Sequence, residues 1–125
     1  MSAMKNSLTA MEFSATFETG RSIFLFPIKL IATESPSAVG FSTIKTGFSV
    51  PKRLVKKAVC RNRLKRQMKS VFQKHENVLR GTFLVPHMSY NLIFMYCDRK
   101  TEVSFSVIEE SILGNVKALV QNDKL

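Results

Sequence analysis

Residues 52–80 constrain the fold more than any other stretch, because an apolar stripe and the chain's excess charge share this one segment. At 100° per residue the apolar side chains fall within an arc of roughly 120°, as in a helix that buries one face: Cys60, Leu64, Met68, Val71, Phe72 and Leu79. The segment also holds eleven Lys and Arg and one acid, Glu76, an excess equal to the net charge of +10 of the whole 125-residue chain. The sequence therefore predicts a helix with an apolar face and a strongly basic face.

The phase of the stripe places the ends of this helix and its outward residues. Leu54 and Val55 do not share the phase, so we predict that they belong to a loop and that the helix begins near Lys57. We predict that Gly81 ends it or follows soon after. The side chains on the side of the helix opposite the stripe are Asn62, Lys65, Arg66 and Lys69. Arg61 and Arg63 lie at the flanks of this group.

The other segments predict a mixed fold. A short helix begins at Met11 and ends at Gly20, which we expect in a left-handed conformation. A strand covers residues 22–33 with Pro27 at an edge or bulge, a turn covers 34–37, and an extended region covers 39–50, split in two if 45–47 form a hairpin turn. Residues 91–97 read as a buried strand, and the apolar spacing from Phe105 to Leu119 as a last helix. The order α-β-β-β-α-β-α predicts an α+β fold, a single-domain α/β sandwich over residues 11–125 after a flexible N-terminus, residues 1–10.

Composition narrows the class of protein. A pI of about 10.0 indicates a polyanionic partner, which is nucleic acid, an anionic membrane surface or an acidic protein. No stretch reaches the ~18 apolar residues of a membrane span, and the first twenty residues lack a secretory pattern. We therefore expect a cytoplasmic protein. Cys60 and Cys97 have no metal-ligand spacing and are expected to be reduced and partly buried.

The sequence predicts no stand-alone active site. His75 lies near the apolar stripe and reads as a packed structural residue, whereas His87 falls in a predicted loop. The acids are scattered, the glycines do not form a phosphate loop, and neither cysteine has a recognisable histidine partner. We assign no catalytic residue and no protein-bound cofactor, and we assign no metal ligands.

The unbalanced charge favours a nucleic acid as the partner. A solvated helix usually interleaves acids with bases, whereas like charges on one face repel each other unless a counter-charge binds. Arginine forks match phosphate oxygens two at a time, and Asn62 between two arginines can hydrogen-bond a base edge or a sugar hydroxyl. A membrane is a poorer match, because the apolar arc has neither Trp nor a broad hydrophobic face.

A motif that leads into the basic helix matches a known family. Ser49-Val50-Pro51-Lys52-Arg53 is followed by Lys57-Ala58-Val59 and by Arg61-Asn62-Arg63-Leu64-Lys65-Arg66. This stretch resembles the protein subunit of bacterial ribonuclease P, which has a Ser-Val-x-Lys-Lys/Arg strand end and an Ala-Val-x-Arg-Asn-Arg-x-Lys-Arg helix. Upstream, a weaker resemblance extends to the first helix of that family, at Phe13, Phe17, Gly20 and Ser22.

The resemblance implies a fold and a function. The basic helix would connect two parallel strands by a left-handed β-α-β crossover, against the usual right-handed rule. The protein would bind ribonuclease P RNA through Lys52, Arg53, Lys57, Arg61, Asn62, Arg63, Lys65, Arg66 and Lys69. A groove between the sheet and the first helix would hold the single-stranded 5′ leader of precursor tRNA, lined by Phe13, Phe17, Phe24 and Phe26. The RNA would perform the hydrolysis with magnesium that it binds itself, and one protein monomer would bind one RNA.

The match is incomplete, and other functions stay open. Lys69, Ser70 and Gln73 stand where the family commonly has Arg-Glu and a further Arg. A general RNA-binding protein, such as a ribosomal protein or an RNA chaperone, fits the charge as well, and so does a protein that places the helix in the major groove of DNA. A dependence of binding on the leader would separate the family function from a general RNA-binding protein, and competition between RNA and duplex DNA would identify a DNA-binding protein.

Overall fold

The computed structural model describes residues 7–37, 43–82 and 88–123, and this part of the chain forms four helices and four strands. In chain order they are α1 (Ala10–Thr19), β1 (Arg21–Leu25), β2 (Ile28–Pro36), β3 (Thr43–Ser49), α2 (Ala58–Lys74), α3 (Glu76–Thr82), β4 (Met88–Tyr96) and α4 (Phe105–Asp123). The predicted α+β order is confirmed, with one additional short helix, α3, after the basic helix α2.

The strands form one sheet in the order β1-β2-β4-β3. Strand β2 is antiparallel to both β1 and β4, whereas β3 runs parallel to β4. Parallel neighbours require a crossover connection, and α2 with α3 supplies it. The β-α-β unit that the resemblance implies is therefore present, and its left-handed sense stays a prediction.

Helices cover both faces of the sheet, which confirms the sandwich. On one face, even-numbered residues of β2 and β4 pack with α2 and α4 in a continuous core that includes Leu30, Leu92, Phe94, Leu64, Met68, Val71, Ile108 and Ile112. On the other face, α1 lies over β2 and β4, and Thr16, Ile31 and Ile93 are buried there. The predicted stripe of α2 and the two-sided burial of β4 are confirmed. No helix in the described ranges is long and apolar enough to cross a membrane.

The prediction of one strand over residues 22–33 is wrong, because residues 21–36 form a hairpin of two strands. The Phe26–Pro27 peptide bond is cis and lies in the turn between β1 and β2. Helix α4 satisfies the polar groups of this turn: Ser111 Oγ donates to Leu25 O and accepts from Ile28 N–H, and Asn115 Nδ2 donates to Ile28 O at 2.9 Å. Strand β2 then continues to Pro36, opposite Met88 of β4, so the turn predicted at 34–37 is also wrong.

Two further predictions differ from the structure. Residues 43–49 form one strand rather than a hairpin at 45–47, because β4 offers a parallel partner to every residue from Thr43 to Ser49. Residues 39–42 lie outside the described ranges, as does His87. The basic helix is interrupted at His75, where the imidazole Nε2 lies 2.6 Å from Glu109 Oε2 on α4. It begins at Ala58, as predicted, with Lys57 at the N-cap position.

Gly20 ends α1 for a reason other than the one predicted. Its φ of −75° and ψ of 156° are extended, not left-handed. A Cβ at this position would lie 2.6 Å from Thr16 O and 2.8 Å from Ile31 Cγ2. The helix end therefore packs against β2 so closely that only glycine fits, and this contact fixes α1 on the sheet.

Gly20→Ala is expected to lower the free energy of unfolding by about 1–3 kcal/mol, because backbone atoms would have to move to admit a methyl group. Gly81→Ala is the matched control: nothing lies within 4 Å of the position that its methyl group would take, and Gly81 is helical. That change should stabilise the protein by about 0.5–1 kcal/mol. Urea unfolding measures both, and equal effects of the two substitutions would contradict the packing described for α1.

Candidate nucleic-acid interface

The outward face of α2 carries positive charge without a compensating acid. Asn62, Lys65, Arg66 and Lys69 are all exposed, as predicted from the helical phase. The three cations among them, Lys65, Arg66 and Lys69, form no ion pair with any acid in the described part of the chain. Lys52, Arg53 and Lys57, in the loop before the helix, are exposed as well. The predicted basic residues thus form one surface, from the end of β3 along the first three turns of α2.

Arg61 contributes to this surface from a fixed position. Its Nη1 donates to Val55 O at 3.1 Å and to Lys56 O at 2.7 Å. Val55 is buried, so these bonds fasten the loop before α2 to the helix. The loop carries its lysines to the surface in a conformation that Arg61 sets. A guanidinium has five N–H donors, so Arg61 can hold the loop and still donate to a phosphate oxygen.

Arg63 is tied to the opposite side of the helix. Its Nη2 donates to Thr101 O at 2.8 Å, in the loop between β4 and α4. Arg61 and Arg63 are both half-buried, whereas Asn62 between them is exposed. That these residues bind RNA stays a prediction, whereas the contacts of Arg61 and Arg63 with backbone carbonyls of the flanking loops have no local signal in the sequence.

The acid that pairs with cations of α2 lies at the far end of this helix. Glu109 on α4 is 3.0 Å from Lys74 and 2.6 Å from His75, at the far end of α2. The hydrogen bonds from His75 and then Lys74 lower the pKa of the Glu109 carboxyl below its ordinary value. The last turn of α2 is therefore locally neutralised, and the uncompensated charge is confined to its first three turns.

A groove at the edge of β3 brings the basic helix close to α1. Its volume is about 350 Å³, and its lining residues are Ser7, Leu8, Phe13, Thr46, Gly47, Phe48, Lys65, Arg66 and Lys69. Leu8 N–H donates to Thr46 O at 2.9 Å, so the segment before α1 runs along the outer edge of β3. The groove combines three cations with two aromatic rings. From the sequence, Phe13 was assigned to the leader groove and the three cations to the RNA subunit; the residues of β3 that lie between them were not singled out, because long-range pairing brings them there.

Helix α1 presents two phenylalanines as a pair. The rings of Phe13 and Phe17 stack with centroids 6.4 Å apart and an interplanar angle of 14°. Phe13 lies against Gly47, where a Cβ would be 3.0 Å from the ring. Lys45, two residues before Gly47, pairs with Glu12 at 2.8 Å, and this contact lowers the pKa of the Glu12 carboxyl. These contacts orient α1, with Phe13 and Phe17 towards the Ser49 end of the sheet.

The other two predicted aromatics form a second pair on the opposite edge strand. Phe24 and Phe26 are exposed and meet edge to face, with centroids 6.2 Å apart. On the face of the sheet that α1 covers, the strand register places four residues in a row across the strands: Phe24, Lys29, Met95 and Ser49. We call these four residues the floor row. Lys29, Met95 and Ser49 are each partly exposed. The row forms a floor between the two pairs of rings, whereas Phe26 lies in the hairpin turn at its end.

The residues of the described ranges include no group of three or more His, Cys, Asp or Glu side chains placed to hold a metal ion. Cys60 and Cys97 are free thiols and half-buried, as predicted. Burial raises the pKa of the Cys97 thiol. The chemistry offered by this surface is thus that of cations, amides and aromatic rings, which are the groups that bind phosphates and unstacked bases.

Comparison with known proteins identifies relatives of this architecture. The family model for Ribonuclease P matches residues 3–120. The ribonuclease P protein of Staphylococcus aureus is 18% identical, with 90% of this chain and 92% of that chain covered and a TM-score of 0.63. The protein from Thermotoga maritima is 19% identical, with 90% and 96% covered and a TM-score of 0.65. No curated protein sequence matches the chain significantly.

A basic residue that fastens a loop to α2 and one that only faces outward should differ in their effect on stability. Arg63→Ala should lower the free energy of unfolding by about 1.5–3 kcal/mol, because it removes a charged donor from Thr101 O. Arg66→Ala should change it by no more than about 0.5 kcal/mol, since Arg66 is exposed and bonds to no described residue. Urea unfolding measures both variants. A loss of the same size for Arg66 would refute the division into fastening and outward residues.

Proposed function

Since the chain belongs to the ribonuclease P protein family, we propose that it binds the RNA subunit of that ribonucleoprotein through the outward face of α2 and the loop before it. The observation that carries this proposal is the groove at β3, where Lys65, Arg66 and Lys69 lie beside Phe13 and Phe48. Cations supply sequence-independent affinity for phosphates, and aromatic rings accept unstacked bases. The combination suits a folded RNA that exposes single-stranded nucleotides.

We further propose that the floor row on the α1 face holds the 5′ leader of precursor tRNA. Phe13 and Phe17 flank the row from α1, and Phe24 lies at its far end. Lys29 in the middle of the row offers a charge for the leader backbone. A single strand crossing the sheet would contact rings at both ends and a cation between them, which is the arrangement of a general single-strand platform.

The proposed mechanism gives the protein an electrostatic and positional role. The RNA subunit performs the hydrolysis with magnesium bound to it, and the protein contributes no catalytic side chain. Cations on α2 reduce the repulsion between RNA strands that otherwise requires magnesium. Leader binding holds the cleavage site in place, which increases the fraction of productive encounters. One protein molecule on one RNA suffices for both effects.

The salt dependence of RNA binding tests the contact proposed for α2. Arg66→Ala should weaken binding to ribonuclease P RNA and reduce the slope of log Kd against log salt by about 0.7–0.9, the value for one phosphate contact. Lys117→Ala, an equal charge change on the exposed face of α4, should leave the slope unchanged. Filter binding from about 50 to 200 mM salt measures the slopes. Equal slopes for Arg66→Ala and the unmodified protein would place Arg66 outside the interface.

Reconstitution with RNA tests the proposed function itself. The purified protein should leave precursor tRNA intact, whereas together with a bacterial ribonuclease P RNA it should allow cleavage at lower magnesium than the RNA alone. Precursors with long leaders should bind the complex more tightly than precursors with short ones. Cleavage by the RNA-free protein would overturn the assignment of catalysis to RNA, and binding independent of leader length would favour a general RNA-binding protein.

A variant of Phe17 sharpens the leader test. Phe17→Ala should reduce the affinity of the complex for a long-leader precursor by roughly 5- to 150-fold, because stacking on an aromatic ring contributes about 1–3 kcal/mol per base. It should not affect a precursor without a leader. Phe105→Ala removes a partly exposed ring from α4, on the other side of the sheet, and should change neither affinity.

A further inference from the structure

A side pocket opens from the β3 groove where α2 meets α3. Its volume is about 200 Å³, and its lining residues are Ser7, Thr46, Phe48, Lys69, Phe72, Gln73 and Glu76. Four of these, Ser7, Thr46, Phe48 and Lys69, also line the larger groove. The side pocket is therefore a branch of the proposed RNA-binding groove. It is smaller than the ~300 Å³ at which pockets for drug-sized ligands begin, and it suits a single base.

The floor of the side pocket is aromatic and rigid. The rings of Phe48 and Phe72 meet at 63° with centroids 6.5 Å apart, and both pack against Phe94. Phe72 is 4% exposed and Phe94 fully buried, so the rings belong to the main core. A floor fixed in this way does not collapse when the pocket is empty. Phe48 is partly exposed and offers the ring against which a nucleobase that leaves a stack can lie, and the buried Phe72 closes the floor beside it.

The rim of the side pocket combines a cation, an amide and a carboxylate. Lys69 lies at the junction with the groove, where a phosphate on the strand would pass, and Gln73 and Glu76 lie one and two turns further along. Glu76 is the only acid among residues 52–80. A carboxylate beside a polyanion site repels the phosphates, and a donor on the bound base offsets that repulsion. An ionised carboxylate has about four acceptor positions on its two oxygens, so contacts within the protein leave room for donors from a base.

Among the four bases, guanine has the donor pattern that matches a carboxylate. Its Watson–Crick edge presents N1–H and N2–H side by side, which is the spacing of the two carboxylate oxygens. Adenine and cytosine present one amino group next to an acceptor nitrogen, and uracil presents N3–H between two carbonyl oxygens. These acceptors would face Glu76 and be repelled. Gln73 both donates and accepts, and it can bond to guanine O6 or to the ribose.

We infer that the side pocket binds one unpaired guanosine of an RNA strand, with its base against Phe48 and Phe72, its Watson–Crick edge on Glu76, and its phosphate near Lys69. This inference rests on the proposed binding of RNA in the adjoining groove and adds a base-specific contact to it. Affinity and selectivity are thereby assigned to different residues. The cations hold any strand, and Glu76 distinguishes the base.

The test compares short oligonucleotides that differ in one group. Fluorescein-labelled uridine pentamers carry guanosine, inosine, adenosine or uridine at the centre, and inosine differs from guanosine only by the missing N2 amino group. Fluorescence anisotropy with the full chain should give about tenfold tighter binding for guanosine than for inosine, the size expected of one specific base contact. Equal affinities for guanosine and inosine would overturn the inference and leave the proposed RNA binding intact. Failure to bind any pentamer would contradict both.

Glu76→Gln separates base recognition from plain electrostatics. The variant should lose the preference for guanosine, because the glutamine amide turns a donor towards N1–H or N2–H. It should bind the all-uridine pentamer as tightly or more tightly, because a negative charge has left the site. Glu110→Gln, the same change on the exposed face of α4, should keep the preference. A Glu76→Gln protein that retains the preference, or that shifts all four affinities equally, would refute the assigned contact.

Crosslinking in the reconstituted complex identifies the strand that supplies the guanosine. 6-Thioguanosine is incorporated either into the RNA subunit alone or into the precursor leader alone, and the crosslinked peptide is identified by mass spectrometry. A crosslink to the peptide that contains Gln73 and Glu76 from one of the two RNAs supports the site and names its source. Absence of this crosslink from both RNAs would overturn the inference.

Discussion

The packing of α2 on the sheet determines what the rest of the surface can do. Leu64, Met68 and Val71 have no exposed area and lie in one core with Leu92 and Phe94. Each such side chain contributes about 1.5–3 kcal/mol when it is buried, which offsets the repulsion among the cations on the other side of the helix. Because the helix cannot rotate without exposing these residues, its basic face has one orientation.

Strand β3 links the two halves of the proposed interface because its residues alternate between the faces of the sheet. Gly47 faces α1 and admits Phe13, whereas Thr46 and Phe48 face α2 and line the groove with Lys69. The strand has β4 on one side only, and Ser7 and Leu8 pair with Thr46 on the other. One seven-residue strand therefore brings the aromatic helix and the basic helix to a common edge.

The parts of the fold that follow from local periodicity were predictable, and those that depend on distant partners were not. The 3.6-residue period placed the buried and outward faces of α2 and its start near Lys57, next to the observed first residue Ala58. The spacing of Phe13 and Phe17 placed both on one side of α1. The residues 45–47 have turn-like composition, but β4 pairs with them and keeps the strand extended. Pro27 ended a strand instead of bending it, because Ser111 and Asn115 of α4 satisfy the polar groups of the turn. Neither partner is visible from the local sequence.

Acids occur in two kinds of place that bear on the proposed function: beside cations of the fold, and, at Glu76, in the lining of a branch of the proposed RNA-binding groove. Glu12 holds α1 to Lys45, Glu34 lies near Arg21 across the hairpin, and Glu109 neutralises the end of α2. Each of these acids lies close to a cation of the fold itself. Glu76 differs from them, because it lines a branch of the groove beside Lys69. A surface made only of cations binds every strand equally well, so discrimination between strands needs a group that penalises the wrong base. A single carboxylate at the end of a basic groove provides that penalty at little cost in affinity, because the neighbouring cations outnumber it.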